Sequence, residues 1–376
     1  MTNSSDVLVI GGGLVGAAVA YGLAREGLGV RVLDEGDDAF RASRGNFGLV
    51  WVQGKGCGMS PYATWTRGSA SRWPSLRDQL LSDTDIDVQL QQPGGFHFCF
   101  SEAEWRERGA RLAAIRADLN GDYPFEMLDH AEVKRRVPGI GPQVFGASYS
   151  PMDGHANPLK LLRALHAACR RRGVHMTGGV RAQRIERSGS GFAVDATGQR
   201  FHAARVVLAA GLGNRALAQQ VGIHAPVAPN RGQVLIAERV AHFLDYPTTY
   251  VRQTGEGTVQ LGDSMEDVGF DDGVTADVVS HIAWRGVRSF PALAEVKLVR
   301  AWGALRVLSP DGFPIYQESA SCPGAYVVTC HSGVTLAAAH VLRIAPWIGG
   351  AAAPAGLEHF SGERFLQTDK VFTHGH

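Results

Sequence analysis

Glycines at positions 11, 13 and 16 follow a short apolar run, and an acid, Asp34, stands directly after the next one. The spacing G-x-G-x-x-G suits a pyrophosphate. Gly11 permits a tight turn, Gly13 lets the backbone approach the ligand, and Gly16 allows close packing of helix on strand. A helix opening at Leu14 and Val15 offers unpaired N–H groups and the positive end of its dipole. Asp34, with Glu35 beside it, is placed to accept a hydrogen bond from a ribose. An acid there suits an unphosphorylated adenosine ribose, which leaves FAD and NAD as candidates that these residues do not separate.

Other residues could do chemistry farther along the chain. The run Ala42-Ser43-Arg44-Gly45-Asn46-Phe47-Gly48 supplies a hydroxyl, a cation and an amide, for phosphate contact or for ordinary helix capping. Arg306, close to Trp302 in a strand-like run, has a planar fork that pairs with a carboxylate, yet such an arginine also serves structural ion pairs and stacking. Tyr250 is either a core aromatic or a phenol available to a carboxylate. His331, in Cys330-His331-Ser332-Gly333-Val334-Thr335, is either catalytic or a satisfied structural histidine.

These residues need elements to position them. Asp6 to Ile10 reads as a strand, Ala17, Ala18, Ala20, Leu23 and Ala24 recur at helical spacing until Gly27, and Val30 to Leu33 reads as a second strand. Together they make one βαβ unit. Asn46 to Gly58 reads as a long functional loop. Trp105 to Leu119 and Pro158 to Arg172 read as helices; Val180 to Arg187, Phe192 to Thr197 and Arg205 to Ala209 as a strand meander leading into the turn at Ala210 and Gly211. Pro226 to Pro323 alternates strands with one helix, Ala276 to Arg288, without repeating the βαβ pattern. A late strand, Tyr326 to Thr329, and a small-residue helix, Thr335 to Ile344, again look like nucleotide-domain material.

The fold class is therefore α/β, α+β overall: a discontinuous Rossmann-type cofactor domain (1–85, 150–225 and 325–376) and a substrate domain built on an antiparallel sheet (86–149 and 226–324). The 376 residues support two cores, with 45% hydrophobic and 19% charged residues. Thirty-seven basic against thirty-six acidic residues call for neither nucleic acid nor an anionic membrane. The amino-terminal run has no cleavable apolar segment, and Val341 to Leu357 is cut by two prolines, so no membrane insertion is expected and the cytoplasm is the expected location. Cys57, Cys99, Cys169, Cys322 and Cys330 are scattered, without a C-x-x-C pair, arguing against disulfides, zinc or any other metal.

Several blocks resemble the D-amino-acid oxidase-like (DAO) family of FAD enzymes: the Ala42–Gly48 loop, Val206-Val207-Leu208-Ala209-Ala210-Gly211, Arg231-Gly232-Gln233, Leu261-Gly262-Asp263-Ser264 through Asp271, Trp302 to Arg306, and Pro310-Asp311-Gly312-Phe313-Pro314. The resemblance implies FAD rather than NAD. It implies cofactor contacts from Gly11, Gly13, Leu14, Val15, Gly16, Asp34, Glu35, Ser43, Arg44, Asn46, Gly48, Val180, Ala210, Gly211, Arg306, Ser332, Gly333, Val334 and Thr335. Arg306 falls where amino-acid-oxidising members pair with the substrate carboxylate; Tyr250 resembles a tyrosine facing the substrate. The usual Gly-His-Gly run is altered around His331. No histidine or cysteine stands where covalently flavinylated relatives carry theirs, which implies non-covalent FAD.

The stretch Asn46 to Gly56, with Met59, Tyr62, Trp65 and Thr66, resembles the β subunits of D-hydroxyproline dehydrogenase, opine oxidase and hydrogen cyanide synthase. That likeness implies an α subunit and an iron–sulfur γ subunit as partners, with FMN at a subunit interface; this chain has no cysteine cluster for an iron–sulfur centre. The implied reaction is hydride transfer from Cα–H of an amino acid, imino acid or opine to the flavin, giving an imine. Two alternatives stay open: a self-contained oxidase releasing hydrogen peroxide, and a weakly active assembly subunit.

Overall fold

The structure is a computed structural model that describes residues 4–36 and 42–366. Parts of the predicted FAD-binding segments, 1–3, 37–41 and 367–376, lie outside the described residues.

The strand Ser4–Ile10 is flanked in parallel by Val30–Leu33 on one side and Gln199–Leu208 on the other. His175–Thr177 extends the sheet beyond Val30–Leu33, and Ala325–Thr329 extends it beyond Gln199–Leu208, both in parallel. Parallel strands covered on both faces carry near-continuous apolar runs. Their two-residue period then sorts the side chains: Val7, Val9, Val32 and Val207 face a core shared with the helices Leu14–Arg25, Ser60–Ala70, Trp73–Thr84 and Pro158–Arg171. Leu8, Ile10, Leu33, Val206 and Leu208 face the other way, under the antiparallel strands Ala182–Ser188 and Gly191–Ala196 and the short helix Asn214–Leu217. The expected βαβ unit and meander are thus both present.

The remaining strands form antiparallel sheets. Val251–Gln253, Thr258–Gly262, Ala228–Arg239 and Leu298–Leu308 lie in that order in one, and Gly95–Cys99, Gly146–Ser150 and Glu126–Asp129 make a smaller one. Phe96 joins them, its N–H donating to Pro247 O at 3.1 Å while its carbonyl accepts from Thr249 N–H at 3.1 Å. A third core of Phe96, Phe98, Leu235, Val251, Leu261 and Phe290 lies beneath, closed by the helix Ala276–Ser289.

The structure corrects several expectations. Ile315–Glu318, assigned to the substrate segment 226–324, pairs antiparallel with Ala325–Thr329 and so forms an edge of the cofactor-domain sheet, because the tight connection at 319–324 folds it back as a hairpin. The helix expected over Thr335 to Ile344 is a short α-turn, Ala337–Ala339, then a wider π-turn, His340–Ile344, before Ala345–Gly349. Pro346, which has no N–H to donate, sits just past the widened turn. The helix expected from Trp105 begins at Glu102, where the Ser101 hydroxyl accepts from Glu104 N–H at 3.2 Å. The helices Ser60–Ala70 and Trp73–Thr84 were not foreseen. The Asn46–Gly58 loop is largely interior, with Val50, Trp51, Val52 and Gln53 all buried, and contains a two-residue strand, Leu49–Val50, paired with Gly154–His155. All five cysteines are free thiols, and no helix among the described residues is long and apolar enough to cross a membrane.

Trp73, fully buried, ties the second of those unforeseen helices to the late loop, its indole N–H donating to Val334 O at 3.1 Å and lying 3.2 Å from Thr335 O. Trp73→Phe removes the donor and part of the ring. We expect it to lower stability by about 2 kcal/mol, seen as a lower urea midpoint with an unchanged slope.

Candidate active site

Four of the loops singled out from sequence leave the carboxyl ends of neighbouring parallel strands: Gly11–Gly16 after Ser4–Ile10, Asp34–Glu35 after Val30–Leu33, Ala209–Gly211 after Gln199–Leu208, and Cys330–Thr335 after Ala325–Thr329. In open α/β sheets ligands bind at such ends. Gly11 has φ +107°, and a side chain there would strike the Ala209 carbonyl; one on Gly16 would overlap the carbonyl of Gly11. Gly13 leaves room for Ser43, whose hydroxyl accepts from Leu14 N–H at 2.9 Å at the open end of the first helix. Asp34 accepts from Gly12 N–H at 2.7 Å and Gly36 N–H at 3.0 Å, and its own carbonyl accepts from Val180 N–H at 2.8 Å. Glu35 pairs with Arg181 at 3.4 Å. His166 adds a support not anticipated, donating to Gly12 O at 2.7 Å.

Beyond this turn a cavity of about 560 Å³ opens between the two domains. Its walls include Ala42, Gly45, Asn46 and Phe47 from the first loop, His331, Ser332, Val334 and Thr335 from the late loop, and Tyr250, Asp263 and Arg306 from the antiparallel sheet. Gly48, Val180, Ala210, Gly211 and Gly333 lie outside those walls. Asn46 closes a local turn, its side-chain oxygen accepting from Gly48 N–H at 2.7 Å, and Arg44 is exposed. Ala210 N–H is held by Asn214 at 2.9 Å.

Arg306 stands opposite Asn230 in the paired strands and lies across Gly232, where a side chain would overlap its guanidinium. It is ion-paired with Asp263 and donates to Asn230 Oδ1 at 3.2 Å, so the structural alternative considered for it is partly realised. The Tyr250 hydroxyl has no hydrogen-bond partner among the described residues, and the Arg285 guanidinium sits 3.9 Å over its ring. Burial raises the Tyr250 phenol above its ordinary value, against the lowering pull of Arg285. Arg231, from the same block as Gly232, is a buried clamp on Glu266 and Asp271, each at 2.6 Å.

The cavity also holds residues that sequence reasoning missed. Lys55 donates to the Ser332 hydroxyl, which also accepts from Tyr62 OH at 3.2 Å, and burial lowers the ammonium to about 8. Its signal was a single cation inside a glycine-rich apolar loop. His97, held by the Thr249 hydroxyl at 2.9 Å, is pushed well below the usual imidazole range by burial and then by Arg108, so it is neutral near pH 7. Glu104, Glu107, Arg108 and Arg111 line the cavity from one face of the helix Glu102–Asp118, at spacings of three and four. Beneath the loop, Asp153 accepts from Val52 N–H at 2.5 Å and from the Gln53 side chain at 2.7 Å, and burial raises its carboxyl to about 7. Thr335 links the two loops that face one another, donating to Leu49 O at 3.2 Å and accepting from Trp51 N–H at 3.1 Å.

The family model for FAD dependent oxidoreductases (DAO) matches residues 6–345. The chain is 44% identical over 361 residues to an opine oxidase subunit of Agrobacterium tumefaciens (strain Ach5), covering 96% of this chain and 97% of that protein. It is 42% identical to the corresponding opine oxidase subunit of Rhizobium meliloti over the same shares. Among solved structures, glycine oxidase from Geobacillus kaustophilus superposes with a TM-score of 0.88 at 24% identity, covering 95% of this chain and 98% of that one, a likeness of fold.

The residues fit FAD. The bare Gly13 backbone, the helix end at Leu14 and the Ser43 hydroxyl make a cradle for a diphosphate, Asp34 retains lone pairs for a ribose, and the adjoining cavity is open to a ring system. A methyl group on Gly13 would stand 2.8 Å from Ser43 Oγ. We expect Gly13→Ala to bind FAD at least about tenfold more weakly, read from flavin absorbance retained after dialysis. A second outcome concerns Lys55, which titrates near 8 when folded and at its ordinary 10.5 when unfolded. The unfolded chain therefore holds the extra proton between those values, and stability rises with pH across that window. Thermal midpoints measured from pH 8 to 10.5 should show the parent protein gaining on Lys55→Met; parallel curves would contradict the burial.

Proposed function

The chain belongs to the DAO family of FAD-dependent oxidoreductases, and from that premise we propose that it oxidises an amine carrying a carboxylate, such as an amino acid, an imino acid, D-hydroxyproline or an opine. The observation that carries this reading is the meeting of Arg306, Asp263 and Tyr250 on the cavity wall contributed by the antiparallel sheet. FAD, when bound, supplies the two-electron acceptor for a hydride. The protein's own task is then orientation.

Arg306 binds the substrate carboxylate through its planar fork, keeping one edge on Asp263 and Asn230. Tyr250 offers its unpaired hydroxyl to the same carboxylate. Asp263, beside the guanidinium, accepts a hydrogen bond from the substrate amine, so the pair presents both signs of charge to an amino acid. The amine reacts in its neutral form: the Cα–H bond breaks with its electron pair leaving as hydride, the nitrogen loses a proton, and the imine formed is hydrolysed by water to a carbonyl compound and an amine. Neutral His97 adds no competing positive charge. Ser332 and Thr335, fixed by Lys55, Tyr62 and the Leu49–Trp51 segment, hold the late loop that closes the cavity.

We further propose that the chain works in the cytoplasm as one component of a heteromeric dehydrogenase and passes its electrons on, through an iron–sulfur subunit and an interfacial FMN. The names of its relatives, each a single subunit of an opine oxidase, support that arrangement.

The test is anaerobic mixing of the FAD-loaded protein with carboxylated amines, scored by loss of flavin absorbance. Arg306→Ala should raise the concentration for half-maximal bleaching by about a hundredfold while FAD stays bound. An unchanged value for every carboxylated amine would defeat the assignment. Rapid peroxide release in air by the isolated chain would point to an oxidase instead.

A further inference from the structure

Several arginines in the interior of this chain meet a carboxylate. Arg231 has Glu266 and Asp271, Arg306 has Asp263, and Arg364 has Asp311 at 2.8 Å. Arg108 and Arg111, on the cavity-facing side of the helix Glu102–Asp118, do not.

Arg108 spends Nε on the Ser148 hydroxyl at 3.0 Å and one Nη on Gln53 Oε1 at 3.1 Å, both neutral acceptors. Arg111 donates one Nη to Gly54 O at 3.3 Å, and its buried Nε has no partner. Glu104 and Glu107 line the same cavity, but both are exposed, and neither forms an ion pair with either arginine among the described residues. Glu104 accepts instead from Phe100 N–H at 2.7 Å. Two guanidinium charges three residues apart, partly desolvated and answered only by neutral oxygens, are costly unless an anion completes them. They come from a different wall than Arg306. Tyr250 lies within electrostatic reach of both Asp263 and Arg108, which puts the two cationic poles in one cavity.

We propose that Arg108 and Arg111 form a second carboxylate subsite, so that the preferred substrate is a secondary amine bearing one carboxylate on its oxidised carbon and another on its N-substituent. This rests on the reading that Arg306 takes the first carboxylate. The two poles then fix both ends of the substrate and leave the Cα–H and the nitrogen between them in the cavity. Planar guanidinium forks suit this role, since each can meet a carboxylate with two parallel N–H donors.

The test uses the FAD-loaded protein and two ladders of probes under anaerobic conditions: N-(ω-carboxyalkyl)glycines of increasing chain length, starting from iminodiacetate, and N-alkylglycines of matching length. At one length or more, the dicarboxylate should bleach the flavin at a concentration about thirtyfold lower than its uncharged counterpart. In Arg111→Met that preference should fall to near one, and Arg111→Lys should restore part of it. Arg111 is the better position to change, because its lone protein bond is to a backbone carbonyl, whereas Arg108 also braces Gln53 and Ser148. Equal half-bleaching concentrations for the two ladders at every length would overturn the second subsite and leave the carboxylated-amine reading intact. A preference that survives Arg111→Met undiminished would overturn the assignment of this residue pair. If neither ladder nor any amino acid bleaches the bound flavin, the reading of the site itself fails as well.

Discussion

The register of one buried strand governs the site. Ser4–Ile10 places Ile10 beside Leu33 on one neighbour and Leu208 on the other, so the chain leaves all three strands at the same level. A one-residue slip would exchange the two faces, turning Val7 and Val9 away from the helices and Leu8 and Ile10 toward them. Because opposite faces feed separate cores, that slip is strongly disfavoured. The turn at Gly11, the acid at Asp34 and the turn at Ala209 meet for this reason. Their closeness is tight enough that the Gly11 position tolerates no side chain against Ala209.

The opposing wall obeys a different constraint, the disposal of buried charge. Arg306 is anchored by Asp263, Arg231 by two acids that hold the loop after Asp263, and Asp153 by the amides of the interior loop. Each of these bonds stiffens a segment that has no regular secondary structure. Where a charge lacks an internal answer, as at Arg108 and Arg111, the cavity is adjacent. Lys55 is intermediate, its cost lightened by the Ser332 hydroxyl and by a readiness to lose its proton. At this wall, charge left unanswered by the protein faces the cavity rather than the outer surface.

Local pattern carried the cofactor half well. The glycine spacing, the apolar runs on either side and the acid at Asp34 are contiguous, and the short-range forces that shape them act within some thirty residues. Arg306, Tyr250 and His331 were found from blocks with a characteristic residue order, and all three line the cavity. The pairing of Arg306 with Asp263 was not visible, because it joins positions 43 residues apart across a sheet whose strand order does not follow the chain. Ile315–Glu318 was misplaced for a related reason: an apolar run does not say which sheet it will join. His97 lay in an alternating strand, and Arg108 and Arg111 on a strongly charged helix, where such residues ordinarily face water.

By itself, then, the sequence determined the βαβ unit, the two-domain division in outline and the chemical types available, because periodicity and turn chemistry are local properties. Only the tertiary structure decided which of those side chains share a cavity, which charges are answered within the protein, and that the glycine-rich loop after Asn46 is interior. Those outcomes depend on long-range packing, where the dielectric surroundings of a group and the identity of its nearest partner are set by segments a hundred or more residues away.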